Sequence, residues 1–122
     1  PGKTFIYNVH QYWMFNIVAH KPNEIGGVLI RAIEPTKGIE VMRRNRPVSN
    51  ITKLTSGPGK LTISLAIDKS LNGIEVSSSD SDIFVCDDKM KYDVARSHRI
   101  GVKRDLERKL RFYIKENKFV SR

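Results

Sequence analysis

Apolar and polar positions alternate from Thr4 to Val9 (TFIYNV), the period-2 pattern of a strand with one buried face. Tyr12 to Ala19 reads as a second strand, so Asn8 to Gln11 falls at a hairpin tip. Lys21-Pro22-Asn23-Glu24 is a turn. Gly26 to Glu34 (GGVLIRAIE) is a short apolar run broken by one charge, which suits a buried strand ended by Pro35. The period then changes. Between Gly38 and Arg46, Ile39, Met42 and Arg43 fall at helical spacing, and Pro47 closes the segment. Ser56-Gly57-Pro58 opens a second helix that runs to about Ile67. Ser56 is a good N-cap, proline suits the first turn, and Leu61, Leu65 and Ile67 supply an apolar side. Leu71 to Ser81 is a Ser/Asp/Gly-rich loop. Ile83 to Cys86 reads as a strand ended by Asp87-Asp88, while Leu110 to Ile114 and Phe119-Val120 read as two closing strands. The pattern predicts one α+β domain over residues 1–122: a mostly antiparallel curved sheet, a protruding β-hairpin and a few short helices.

Size and composition narrow the classes. A chain of 122 residues supports one modest core. No apolar run reaches the roughly 18 residues of a membrane span, so no membrane partner is expected. The lone Cys86 excludes an internal disulfide, fits a reducing intracellular compartment, and reads as a small buried hydrophobe. One cysteine and three scattered histidines (His10, His20, His98) offer no zinc-ligand spacing. Gly57-Pro58-Gly59-Lys60-Leu61 only faintly echoes a phosphate-cradling loop, and no serine nucleophile elbow is present. No metal or other cofactor is expected. Pro1 leads at once into strand-like sequence, which suggests processing or a fragment of a longer product.

Charge changes the picture most. The formal net charge is +9 and the sequence pI is about 9.9. Residues 1–60 hold nine Lys/Arg against three acids; residues 61–122 hold thirteen against ten. In the second half an acidic island, Glu75 to Asp93, precedes a basic stretch from Arg96 to Lys118. Such a balance either solubilises a surface or attracts polyanions. Five of the ten aromatic residues lie within the first fifteen positions, interleaved with His, Gln and Asn. Aromatic faces in a basic protein can stack on bases; they can equally pack one face of a sheet. A tip carrying His10, Gln11 and Tyr12 could enter a groove or fill the gap left by an extruded base. Arg31 is a charge inside an apolar run, so it is either paired structurally or aimed at a phosphate or ligand. The N-terminus of the Ser56–Lys60 helix, with Lys60, is a candidate phosphate contact and equally an ordinary cap. Arg43-Arg44-Asn45-Arg46 is a solvated helix face that also favours nucleic acid electrostatically.

The residues also carry a resemblance. The order Pro1-Gly2, Tyr7, Met14-Phe15-Asn16-Ile17-Val18, Val28-Leu29-Ile30-Arg31-Ala32-Ile33-Glu34-Pro35 and Gly38-Ile39-Glu40-Val41-Met42-Arg43 resembles the alkyladenine (3-methyladenine, methylpurine) DNA glycosylases. So do Ser56-Gly57-Pro58-Gly59-Lys60-Leu61, Leu65-Ala66-Ile67-Asp68-Lys69-Ser70, Arg99-Ile100-Gly101-Val102 and Leu110-Arg111-Phe112-Tyr113. The matches are collinear over nearly the whole chain. That family is a single-domain α+β enzyme of base excision repair. It flips a damaged purine out of duplex DNA and cleaves the N-glycosidic bond with an activated water, without a metal.

The resemblance implies roles. Tyr7 matches the tyrosine that stacks on the flipped base. Asn16 matches the asparagine that crowds the exocyclic amine of guanine. Arg31 matches the arginine beside the attacking water and the DNA backbone. The hairpin tip supplies the wedge, and here the chain is one residue shorter than the family's usual Tyr-Gly-Met tip. His10 is the wedge, with Val9 and Gln11 as alternatives; Tyr12, Lys60 and Arg43 complete the expected DNA contacts. The family's general-base Glu, with two more aromatic or His pocket residues, precedes the Pro-Gly and has no counterpart in these 122 residues. Glu24, Glu34 and Glu40 do not replace it. The partner implied is double-stranded DNA with damaged purines, together with an N-terminal segment of the same protein. Two classes stay open at this point: a purine glycosylase completed by that segment, and a nucleic-acid-binding relative without catalysis. An RNA-binding β domain is a third reading.

Overall fold

The computed structural model describes residues 1–100 and 109–121. Strand β1 (Thr4–Val9) and strand β2 (Tyr12–Val18) form an antiparallel hairpin in which Phe5 pairs with Asn16, Tyr7 with Met14 and Val9 with Tyr12. Two residues join them, His10 and Gln11, both at positive φ (48° and 75°). That is the backbone of a tight two-residue hairpin turn, whose twist matches the flanking strands. β3 (Gly27–Leu29) pairs antiparallel to β2 and completes a three-stranded sheet in the order β1-β2-β3.

Alternation along the hairpin assigns its two faces. Ile6 and Phe15 point to one face and meet Leu61 and Ile67; Trp13, Ile17, Ile30 and Ile33 pack around them. This is the core. Helix α2 (Pro58–Ser64) supplies Leu61 and is pinned to β2 where Thr62 Oγ1 donates to the Trp13 carbonyl at 2.8 Å. Ser64 Oγ donates to Leu54 and Thr55 Oγ1 to Ile33, so the buried hydroxyls beneath α2 are satisfied by backbone. Helix α1 (Ile39–Asn45) joins α2 through Asn45 Nδ2, which donates to Ser64 at 2.9 Å. The outer edge of β1 is covered by residues 72–76: Thr4 N–H reaches Ile74, Val76 N–H reaches Gly2, and Asn72 Oδ1 accepts from Ile6 N–H at 2.7 Å. A second, two-stranded sheet pairs β4 (Val94–Ser97) with β5 (Arg111–Ile114).

The hairpin, both helices and the α+β class agree with the sequence reading. Five details do not. The expected single sheet is two sheets. The apolar run from Gly26 forms only three residues of strand, and Val28 is exposed, because nothing among the described residues covers that edge. Ile83 to Cys86 and Phe119-Val120 form no strand; Phe119 is buried from a turn, and Val85 N–H makes a single bond to Val76. Cys86 is exposed, not buried. Helix α2 is capped by Gly57, without a side-chain cap from Ser56, and stops at Ser64 as the chain reaches Ala66 at φ 54°. Gly101 and Val102 of the matched stretch, and residues 103–108 of the basic stretch, lie outside the described residues.

Candidate functional site

The hairpin face opposite the core carries Phe5, Tyr7 and Asn16. The Phe5 and Tyr7 rings lie side by side, centroids 5.3 Å apart and tilted 34°. With Val18, His20, Ile25, Gly26 and Gly27 these residues bound an open cavity of about 360 Å³, in the size range of small-ligand pockets, roughly 300–1,000 Å³. Asn16 is only 9% exposed, and its Nδ2 donates to the Phe5 carbonyl at 3.3 Å, which holds its side chain against the wall. Tyr7 keeps 39% of its surface exposed, so a ring face is available to a ligand. Gly26 lets β2 and the chain entering β3 approach closely: a Cβ there would stand 2.9 Å from the Ala19 carbonyl. Among the described residues no carboxylate lines the cavity.

Arg31 is not part of that lining. The ladder continues one bond past β3, from Ile30 N–H to Phe15, and Ile30 packs on the core. Arg31 follows, two residues beyond the end of β3. Its Nε is buried without an acceptor among the described residues. Burial pulls the guanidinium below its ordinary pKa, and the like charge of Arg111 adds to the effect. Arg111 is itself held by Ser97 Oγ at 2.9 Å and the Ser121 carbonyl at 2.6 Å, and it lies over the Tyr113 ring. A cation with a buried, unpartnered N–H beside a second cation is a place for an anion or a strongly polar group.

The remaining candidates occupy the hairpin tip and the helix ends. His10, Gln11 and Tyr12 project at the tip, all exposed, and the Tyr12 ring lies against Gly59. Lys60 is exposed on the first turn of α2. Arg43 is exposed on α1, where its Nη2 donates to the Ser49 carbonyl at 3.0 Å. The structure therefore brings Tyr7 and Asn16 together and sets Tyr12 beside the Gly59-Lys60 turn. It leaves Arg43 apart on α1. Among the described residues no group of three or more His, Cys, Asp or Glu could hold a metal ion. No described helix is long and apolar enough to cross a membrane.

The model of one family, described as methylpurine-DNA glycosylase, matches residues 1–118. The chain belongs to that family. Curated members named "Putative 3-methyladenine DNA glycosylase" are similar over all or nearly all of it. The protein from Clostridium tetani is 40% identical over the whole chain, that from Mesorhizobium japonicum 39% over 98% of it, and that from Aeropyrum pernix 37% over all of it. The chain spans only 66%, 58% and 59% of those three relatives' lengths. The methylpurine-DNA glycosylase assignment agrees with the resemblance carried by the LIRAIEP and SGPGKL stretches. Within this family member, sequence reasoning missed six contributors to the cavity: Phe5, Val18, His20, Ile25, Gly26 and Gly27. Phe5 was findable, since a two-residue turn sets it opposite Asn16. His20, Ile25 and Gly26 carried no sequence signal, because only the path of the β2–β3 loop brings them there.

Proposed function

We propose that the protein carrying this chain is a DNA repair glycosylase acting on alkylated or deaminated purines in duplex DNA. This chain supplies one wall of the base pocket, the wedge and the arginine. The flipped base enters the cavity and stacks on Tyr7, while Asn16 crowds the exocyclic amine of guanine. His10 at the tip fills the gap left in the duplex, with Gln11 and Tyr12 beside it, and Lys60 and Arg43 meet backbone phosphates. Arg31 steadies the water and the adjoining phosphate. In the reaction the bond between the sugar anomeric carbon and the purine nitrogen breaks and its electron pair leaves with the base. The water oxygen bonds to that carbon and its proton passes to a general base. Among the described residues no carboxylate lines the cavity to serve as that base. The reading assigns it to a carboxylate of the same protein outside these residues.

The observation that carries the reading is the open cavity joining Tyr7 and Asn16 on a hairpin with a residue-bearing tip, in a chain matched to the family over residues 1–118. The test is hypoxanthine release from a duplex by the full-length gene product and by its Arg31→Ala variant. The variant is expected to be slower by about a hundredfold or more. A full-length product that binds such duplexes and releases no damaged base would leave the second reading, a DNA-binding relative without catalysis. The absence of a carboxylate among the described residues of the cavity is what favours that alternative.

A further inference from the structure

The polar groups of the cavity are few, and one of them has no role in the scheme above. Among the described residues of the lining, His20 is the one polar side chain apart from Tyr7 and Asn16; the rest are Phe5, Val18, Ile25 and two glycines. The Nδ2 group of Asn16 is taken by the Phe5 carbonyl. His20 stands at the root of the β2–β3 loop, one residue beyond the last ladder bond, from Ala19 N–H to Gly26. It is half-buried, and its orientation is held from two sides. Gly26 lies against it, since a Cβ at that position would come within 3.6 Å of the His20 Cβ. His20 Nδ1 also lies 2.8 Å from the Lys21 carbonyl. A carbonyl oxygen only accepts, so Nδ1 carries the proton. In the neutral ring Nε2 is then a lone-pair acceptor.

We propose that His20 is a specificity-determining residue of this pocket, accepting through Nε2 a hydrogen bond from the edge of the flipped purine. The inference rests on the base-pocket reading above and names the class of base it selects. Damaged purines with an N–H on that edge are favoured: the exocyclic amine of 3-methyladenine and the ring N–H of hypoxanthine both qualify. Ethenoadenine carries no such donor, because its extra ring closes over both nitrogens. A site built around an acceptor discriminates against a base that leaves the acceptor unpaired. Ile25, on the opposite root of the same loop, adds an apolar wall without that preference.

The experiment compares wild-type full-length gene product with His20→Ala and His20→Gln. Single-turnover excision of hypoxanthine and of ethenoadenine is measured in the same duplex context. The hypoxanthine-to-ethenoadenine ratio should fall about tenfold in His20→Ala. His20→Gln, whose amide oxygen accepts, should recover most of it. A merely structural role would slow both bases alike, and an unchanged ratio in His20→Ala overturns the proposal. Duplex binding by anisotropy reads the same ratio without chemistry. If wild type releases no base, the glycosylase reading fails. An unchanged binding ratio in His20→Ala would then separately sink the role of His20, and a shifted one would sustain it.

Discussion

His10 and Gln11 form the two-residue hairpin turn at φ 48° and 75°. Side chains are disfavoured there, at a cost on the order of 1 kcal/mol each. An Asn-Gly pair would suit the same turn without that strain. The double substitution His10→Asn with Gln11→Gly should therefore raise the thermal midpoint, by an amount equivalent to about 1 kcal/mol. If the tip is the wedge, the same variant should lose affinity for a lesion-bearing duplex while keeping its affinity for undamaged DNA. Higher stability with lesion binding intact would mean that the tip does not enter the duplex. The turn itself was legible from alternation on both sides of it, but its strain was not. Arg31 stood out in the sequence as a charge in an apolar run. The structure adds that its Nε has no acceptor among the described residues, and that burial and the like charge of Arg111 both perturb it.

At the level of elements, α2 and the hairpin act as one unit, joined by Thr62 to Trp13 and by Gly59 beneath Tyr12. A methyl group at Gly59 would stand 2.9, 3.0 and 3.2 Å from the Tyr12 Cδ1, Cγ and Cβ. Alanine ordinarily favours a helix over glycine by about 1 kcal/mol. Here the clash wins, because Tyr12 Cβ cannot move without the strand. Gly59→Ala should lower the thermal midpoint, and Tyr12→Ala in the same background should recover most of the loss. Calorimetry on the two single variants and the double variant measures the coupling; strict additivity would mean that the two elements are not in contact. The helices were readable from apolar spacing and proline punctuation. The Ile83–Cys86 strand was misread because a short apolar run looks the same whether or not a neighbour pairs with it.

Across the whole molecule the charge is +9, and exposed Lys60 and Arg43 accompany a sheet face with Phe5, Tyr7 and Tyr12 partly open. Each phosphate neutralised contributes roughly −0.9 to the slope of log affinity against log salt. Three such contacts give a slope of about −2.7 for duplex binding, and Lys60→Ala or Arg43→Ala should each flatten it by about one. Titrations at several salt concentrations read this directly, and a wild-type slope near zero would remove the electrostatic component of the DNA reading.

By itself, the order of residues determined the α+β class, the hairpin, both helices, the basic character and the family, because these follow from local periodicity and collinear motifs. Tertiary structure decided which side chains meet. Tyr7 and Asn16 share a wall because the hairpin register puts their side chains on one face. His20 joins them because the β2–β3 loop returns over that face, and Arg31 faces Arg111 across eighty positions of sequence. Such encounters depend on how the chain closes on itself, which no local pattern encodes.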